Sequence, residues 1–508
     1  MKRKIVALSV VLTMILTSAA GCAGESNAPG AGETPSTGKD TLAIAITYDV
    51  TTFTRLSDMS GSDLRVFNNM FDPLIFSRKG EVTPCLAESW MVSDDGLTYT
   101  FNLRKNVKFT NGEELKASDV VFTFEQSMAS AYTASSFSSV EDVIALDDYS
   151  VEVTLLSPNA TFFLSVSQMP IISEKVWVDA GGTAEGYNQN PVGTGPYILS
   201  EHNIGQNIVL ERNENYWGEK PAIKTVNFQI ISDPNTAAVA LQSGDIDVFY
   251  YPTETSIAEL RQQPNLKANH FIENELKCVF VNCSAEPFDD VRVRQALSYA
   301  IDKESMILIA ANGNAIQSDI LATPDVFGYS DNIEGYEYNV EKAKELLSEA
   351  GYANDLEVNI IALPGVYTTI AEVLQQQYAL VGVTATVQTL DKNAYVEALI
   401  SGNYQLGTFG SDLEPDLNFW SQIFEEGAGR NMVFYNNTDV SNMLKKGRET
   451  IDTNKRLQIY EQLLQRLRDD VPIIPLYCAN GQIFTNKDLT IGYIDTQSIF
   501  LAAEAHWN

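Results

Sequence analysis

Residues 356–390, LEVNIIALPGVYTTIAEVLQQQYALVGVTATVQTL, decide the fold class of this chain. LEVNIIAL (356–363) reads as a strand, and TTIAEVLQQQYALV (368–381) as a helix that ends at Gly382. VTATVQTL (383–390) returns to strand alternation. A strand, a helix and a strand in so short a span belong to an α/β layer.

The pattern continues outward on both sides. VEKAKELLSEA (340–350) is a helix with Asn339 as N-cap and Gly351 as its stop. In DDVRVRQALSYAID, Val293, Ala296, Leu297, Ala300 and Ile301 share one helix face, and Asp290 is placed to cap it. Arg292 and Arg294 are expected on that helix's surface. The strand before it, LKCVFVNC, carries Cys278 and Cys283 on opposite faces. A last long helix covers about 453–469. VPIIPLY (471–477) then follows, strand-like but too proline-rich for the middle of a sheet.

In the N-terminal half, TLAIAITYDV (41–50), LTYTFNLRKNVKF (97–109), YSVEVTLL (149–156) and IKTVNFQII (223–231) read as strands. A helix is expected over 117–129, with Ser118 as N-cap. Asp95-Gly96 marks a hairpin turn, and Gly193 and Gly195 in PVGTGPYIL mark a constrained one. The whole reads as α/β lobes with mixed sheets.

The chain has 508 residues, enough for two or three packed lobes, with 44% hydrophobic and 20% charged residues. Its 34 basic and 66 acidic residues give a formal net charge of −32. Such a body repels nucleic acid and anionic lipid, so neither is expected as a partner. The acidic surface keeps an exported protein soluble, or steers cationic ligands into a cleft.

Export is written at the N-terminus. Lys2, Arg3 and Lys4 precede an apolar run, Ile5–Leu16, and then small residues and Cys22. The run is too short to span a bilayer and fits a secretory signal. Cys22 after Ala-Ala-Gly resembles the lipidated cysteine of bacterial lipoproteins, although Ala19 stands where those signals most often carry Leu. Residues 1–21 are expected to be cleaved. Residues 22–39, with almost nothing that could enter a core, are expected to tether the body to the membrane's outer face. The alternative is plain secretion with an incidental cysteine.

Little suggests catalysis. The three histidines, His202, His270 and His506, lack the H-E-x-x-H spacing, and there is no G-x-S-x-G elbow, P-loop or zinc cysteine pair. Asp245 and Asp247 in SGDIDVF read as turn and hinge hydrogen-bonders rather than metal ligands. No cofactor, metal or enzymatic activity is expected. Oxidising surroundings permit a Cys85–Cys478 bridge without establishing one.

Eight stretches in chain order identify a resemblance: NNMFDPLI (68–75), residues 84–125, PVGTGPY (191–197), ERNENYW (211–217), LQSGDIDVF (241–249), FDDVRVRQALSYAIDKE (288–304), EKAKELLSEAGY (341–352) and VPIIPLY. Together they resemble the family 5 extracellular solute-binding proteins of ABC importers, which bind dipeptides, oligopeptides and nickel complexes. The resemblance implies a two-lobed, periplasmic-binding-protein-like clamp. Its first lobe would comprise residues 40–70, 190–273 and 484–508, with a small extra domain, 71–189, inserted. Residues 274–483 would form the second lobe. Ligand would be enclosed between closing lobes and passed to ABC permease subunits by a receptor expected to be a monomer.

The same resemblance locates the ligand. Peptide-binding members carry an aromatic, two small residues and an aspartate where this chain has Phe409, Gly410, Ser411 and Asp412, followed by Glu414-Pro415. Asp412 would receive a peptide's α-ammonium; its alternative is to cap a helix starting near Pro415. Phe409, Phe419, Trp420 and Tyr435 are candidates for an aromatic wall, or for core packing. The arginines with which relatives hold a peptide carboxylate are missing. Ile361-Ala362-Leu363-Pro364 and Leu406 stand in their places, and no Lys or Arg lies between Lys344 and Lys392. A free dipeptide is therefore disfavoured. A longer peptide remains, as does a basic or non-peptide ligand such as a metal chelate or oligosaccharide, or sensing without import.

Overall fold

Two long neighbouring strands, Leu266–Val281 and Ile473–Asn486, organise the molecule. The computed structural model describes residues 39–78, 80–353, 355–495 and 499–508. Cys22, the signal segment and residues 22–38 lie outside the described residues.

The two long strands pair with each other in two stretches. Leu266–Ile272 pairs with Asn480–Asn486, and Leu276–Phe280 pairs with Ile473–Cys478. Between them the register slips: Glu273, Asn274 and Glu275 face only Ala479. Such a bulge bends a ladder. Beyond the first halves the sheet continues through Val248–Phe249, Thr41–Ile46, Thr225–Ile230, Asn207–Arg212 and Tyr197–Asn203. Beyond the second halves lie Leu406–Asp412, Leu356–Ala362 and Val383–Thr389. Parallel pairing of Leu356–Ala362 with Val383–Thr389 across the helix Val366–Ala379 gives the expected α/β unit.

Period-two alternation sorts the second lobe's core. Val279 and Val281 pack under the helices Val291–Tyr299, Val340–Glu349 and Val366–Ala379, whereas Leu276, Cys278 and Phe280 point into a separate core with Trp420, Tyr460 and Leu463. The five apolar positions from Val293 to Ile301 are all 0–1% exposed. Asp290, Asn339 and Asp452 each cap the helix that follows, accepting from Arg292 N, Lys342 N and Lys455 N. A third core, from Leu74 to Val192, belongs to a four-stranded antiparallel sheet with strands between Ala87 and Leu155.

Three motifs that are far apart in sequence meet at one buried carboxylate. Asp72 of NNMFDPLI accepts from Thr194 Oγ1 of PVGTGPY at 3.0 Å and Trp217 Nε1 of ERNENYW at 2.9 Å. Gly193 and Gly195 run against the Met70–Phe71 backbone, where a Cβ would overlap Met70 atoms. Close approach, rather than a left-handed backbone, requires these glycines.

The proline-rich segment joins the long strand Ile473–Asn486 at its open end, as its composition requires: Ile473, Ile474 and Pro475 pair with the first long strand alone, whereas the strands on the other side meet Tyr477–Ala479 and Phe484–Thr485. Pro475 also faces Cys278 beside a register shift, where the ladder is already broken. The structure corrects two readings, the Ser118 cap and the superficial Arg294. The 117–129 helix begins at Ala117; Ser118 lies inside it, and Asp119 Oδ2 accepts from Lys116 N at 2.9 Å. Arg294 is buried, not superficial: it grips the carbonyl oxygens of Asp470 and Phe288 at 2.5–2.8 Å. Cys85 and Cys478 lie in different cores as free thiols, so no bridge joins them. Burial raises the Cys283 and Cys478 thiols to about 11 and about 12.

Candidate functional site

The strand Leu406–Asp412 enters the second lobe buried and ends at the cleft. Its pairing with the first long strand places Phe409 opposite Cys278, Ser411 opposite Leu276 and Asp412 opposite Glu275. Asp412 is therefore fixed beside the bulge. Leu413 N donates to Asn274 O at 2.8 Å, tying the loop after the strand to the same bulge.

A cleft of about 1210 Å³ opens here. Phe409, Ser411 and Asp412 line it together with Glu414 and Phe419. Trp420 and Tyr435 do not line it. Trp420 is 1% exposed and donates to Leu321 O at 2.7 Å; Tyr435 donates to Asp470 Oδ2 at 2.5 Å and packs edge-on against Phe424. Both belong to the second lobe's core because their polar tips find partners inside it. Phe409 reaches both settings, with its ring 4.8 Å from that of Phe280 and stacked at 6.3 Å on that of Tyr395.

Asp412 does not cap a helix. The turn Leu417–Trp420 is capped by Asp416, whose Oδ1 accepts from Asn418 N at 2.9 Å. Asp416 is in turn clamped by Arg456 Nη2 at 2.6 Å and the Tyr460 hydroxyl at 2.9 Å. Among the described residues, the Asp412 carboxylate has neither a hydrogen-bond donor nor an ion-pair partner. Lost hydration raises its pKa above the usual carboxylate value, Glu275 adds to the rise, and Lys277 opposes it. The group is thus kept short of compensation in a cavity open to ligand.

Residues that sequence reasoning passed over complete this corner. Glu275 is held by Lys277 and by the Tyr367 hydroxyl. The Lys277 ammonium also sits 5.0 Å from the centre of the Tyr367 ring. Gly410 leaves room for this cluster, since a Cβ there would overlap Glu275 Oε1. The signal lay in the alternation of ELKC, which puts Glu275 and Lys277 on the face opposite Cys278. The far wall is rich in hydroxyls, among them Ser135, Ser138 and Ser165. Asp245 and Asp247 lie away from the cleft: Asp247 accepts from Ala43 N at 2.9 Å and pairs with Lys39 at 2.6 Å.

Known proteins place this geometry. The sequence profile of the bacterial extracellular solute-binding proteins, family 5 (middle region), matches residues 81–430. A dipeptide-binding protein of Escherichia coli is 31% identical over 468 residues, covering 85% of this chain and 86% of its own. The oligopeptide-binding protein AppA of Bacillus subtilis is 29% identical over 531 aligned positions, covering 96% of both chains. A heme-binding protein A of Haemophilus influenzae is 29% identical, covering 81% of this chain and 82% of its own. Among solved structures, HbpA2 of Haemophilus parasuis superposes with a TM-score of 0.85 at 27% identity, covering 92% of this chain and 100% of the other. AppA of Bacillus subtilis in complex with a nonapeptide superposes at 0.69 and 26% identity, covering 92% and 99%.

Proposed function

This chain belongs to the bacterial extracellular solute-binding proteins of family 5, and on that premise we propose that it is the lipid-anchored receptor of an ABC importer for peptides longer than dipeptides. Members of this family bind solutes outside the cell and are not enzymes. Transfer to membrane permease subunits follows from the family. Lipidation at Cys22, peptide length and the lobe boundaries at residues 70, 190, 273 and 484 are our own reading.

The observation that carries the reading is the unpartnered carboxylate of Asp412 at the cleft end of its strand. Asp412 is exposed to the cleft, so its carboxylate is free to meet a ligand's counter-charge, and closure around the ligand would take the pair out of water. A peptide α-ammonium supplies that counter-charge with a charge-assisted hydrogen bond. A volume of about 1210 Å³ exceeds the roughly 300–1,000 Å³ of ordinary small-molecule sites, which favours several residues over two. Phe409 and Phe419 offer apolar contact to side chains, and the serine-rich wall offers hydrogen bonds to backbone amides.

Calorimetry with peptides of two to six residues, each with a free or an acetylated amine, tests this reading. Free-amine peptides of three or more residues are expected to bind, and acetylation to abolish binding. Equal binding of acetylated peptides would remove Asp412 from the ammonium role. Native mass spectrometry of the purified protein identifies what co-purifies. Cys22→Ala is expected to release the protein from the membrane or leave it unprocessed, and normal retention of a correctly cleaved mutant would refute the anchor.

A further inference from the structure

The cleft's positive charge is unevenly committed. Four arginines line it: Arg55 and Arg78 from the first lobe, and Arg430 and Arg448 from the second. Arg448 is already bidentate on Glu425, at 2.8 and 2.9 Å. Arg78 is paired with Glu504 at 2.7 Å. Arg430 is exposed, donates to Gln422 Oε1 at 2.7 Å and acts on Glu414, which crowds the same end as Asp412.

Arg55 differs. Its Nε donates to the Gln168 carbonyl at 3.0 Å, and it forms no ion pair among the described residues. A guanidinium anchored through Nε keeps its two terminal nitrogens as a planar fork, the shape that matches a carboxylate. Burial lowers the Arg55 pKa, and the charge of Asp495, which also lines the cleft, opposes this without forming an ion pair with it. The side chain is thus oriented, partly dehydrated and without a close counter-ion.

The acidic end of the cleft gives the complementary argument. Glu275 and Asp412 stand opposite each other there, Glu414 lines the same cleft, and the Lys277 ammonium is committed to Glu275. A ligand carboxylate placed among them would be repelled. The negative end of a zwitterion must lie elsewhere.

We propose that Arg55 is the carboxylate subsite of this receptor, so that a peptide's ammonium is held by Asp412 of the second lobe and its carboxylate by Arg55 of the first. The proposal rests on the peptide reading above. It makes closure depend on a ligand that carries both charges and is long enough to reach both walls.

The test uses an equimolar tetrapeptide library and the same library amidated at its C-terminus, with capture by the full receptor read by mass spectrometry and affinities of the retained peptides by calorimetry. Wild type is expected to prefer acid over amide by roughly 10- to 100-fold, the range for a hydrogen bond to a charged group. Arg55→Gln is expected to bind both equally, Arg55→Lys to keep part of the preference, and Arg430→Gln to keep all of it. Thermal melting within a few degrees of wild type checks that Arg55→Gln is folded. If it is not, Arg55→Lys and the wild-type preference decide. A preference that survives in Arg55→Gln, vanishes in Arg430→Gln or is absent from wild type overturns the Arg55 assignment and leaves the peptide reading standing. Capture of neither library overturns the peptide reading, and the assignment with it.

Discussion

Glu275 and Asp412 stand directly opposite each other on neighbouring strands, yet only Glu275 is neutralised, by Lys277 and the Tyr367 hydroxyl. The unequal treatment of two adjacent carboxylates leaves Asp412 as the one that the proposed ligand ammonium would neutralise. Asp412→Asn keeps the shape and removes the charge. It is expected to weaken binding of a free-amine peptide by two to four decades, since breaking a buried charge pair costs about 3–5 kcal/mol. Acetylating the peptide should then cost the mutant little. Calorimetry on the four combinations checks this, and simple additivity of the two penalties would contradict it.

The raised pKa of Asp412 gives a pH dependence of definite sign. The carboxyl must be ionised to receive an ammonium. Affinity is therefore expected to fall as pH drops through a value above the ordinary aspartate pKa, and Asp412→Asn should lack that step. In the free protein the sign is opposite. The folded state holds the proton more tightly than the unfolded chain, so ionising Asp412 lowers stability as pH rises through the folded pKa.

Gly410→Ala is a steric test of the same corner. Its Cβ would overlap Glu275 Oε1 and crowd the Tyr367 hydroxyl. Relief requires Glu275 to leave Lys277 and move toward Asp412. We expect a loss of about 1–3 kcal/mol in stability, typical of overpacking, together with weaker peptide binding. Denaturant titration and calorimetry read the two effects separately. Unchanged values in both would show that the cluster yields freely.

Asp72 predicts a stability profile. Burial raises its pKa to about 6, although Trp217, Thr194 and Tyr216 hydrogen-bond to it. With an unfolded value near 3.8, its stabilising contribution is full below that value and is lost as pH rises through about 6. The loss is about 3 kcal/mol at 1.36 kcal/mol per pKa unit. Asp72→Asn should flatten this fall, as urea titrations between pH 4 and 7 would show. An identical slope in the mutant would mean that another group carries it.

Arg456 supports the site from behind. It clamps Asp416, which caps the turn that follows the ligand loop. Arg456→Leu strands a carboxylate that is 7% exposed, and it is expected to cost about 3–5 kcal/mol. Asp416→Asn combined with Arg456→Leu should recover part of that loss. A double-mutant cycle in urea measures the coupling, and a value near zero would show that the pair does not support the turn.

The sequence by itself determined the local order of this protein. Periodicity marked the helix through Val293 and Leu297, Asp290 and Asn339 began helices because a short polar side chain can accept from the first turn, and the strand–helix–strand run at 356–390 fixed the α/β class. The motif around Asp412 was legible only by resemblance to peptide-binding relatives; that it ends a strand at the cleft came from the structure. Tertiary structure decided what depends on distant partners. Pro475 is tolerated in the long strand because the strands on its other side pair further along, at Tyr477–Ala479 and Phe484–Thr485. Trp420 and Tyr435 turn inward because Leu321 O and Asp470 accept their polar tips. Lys277 and Tyr367, 90 residues apart, meet at Glu275, and Arg55 reaches the cleft on a carbonyl 113 residues away. Hydrogen bonds and charges act over a few ångströms of space, whatever the separation along the chain. Composition and periodicity record only the latter.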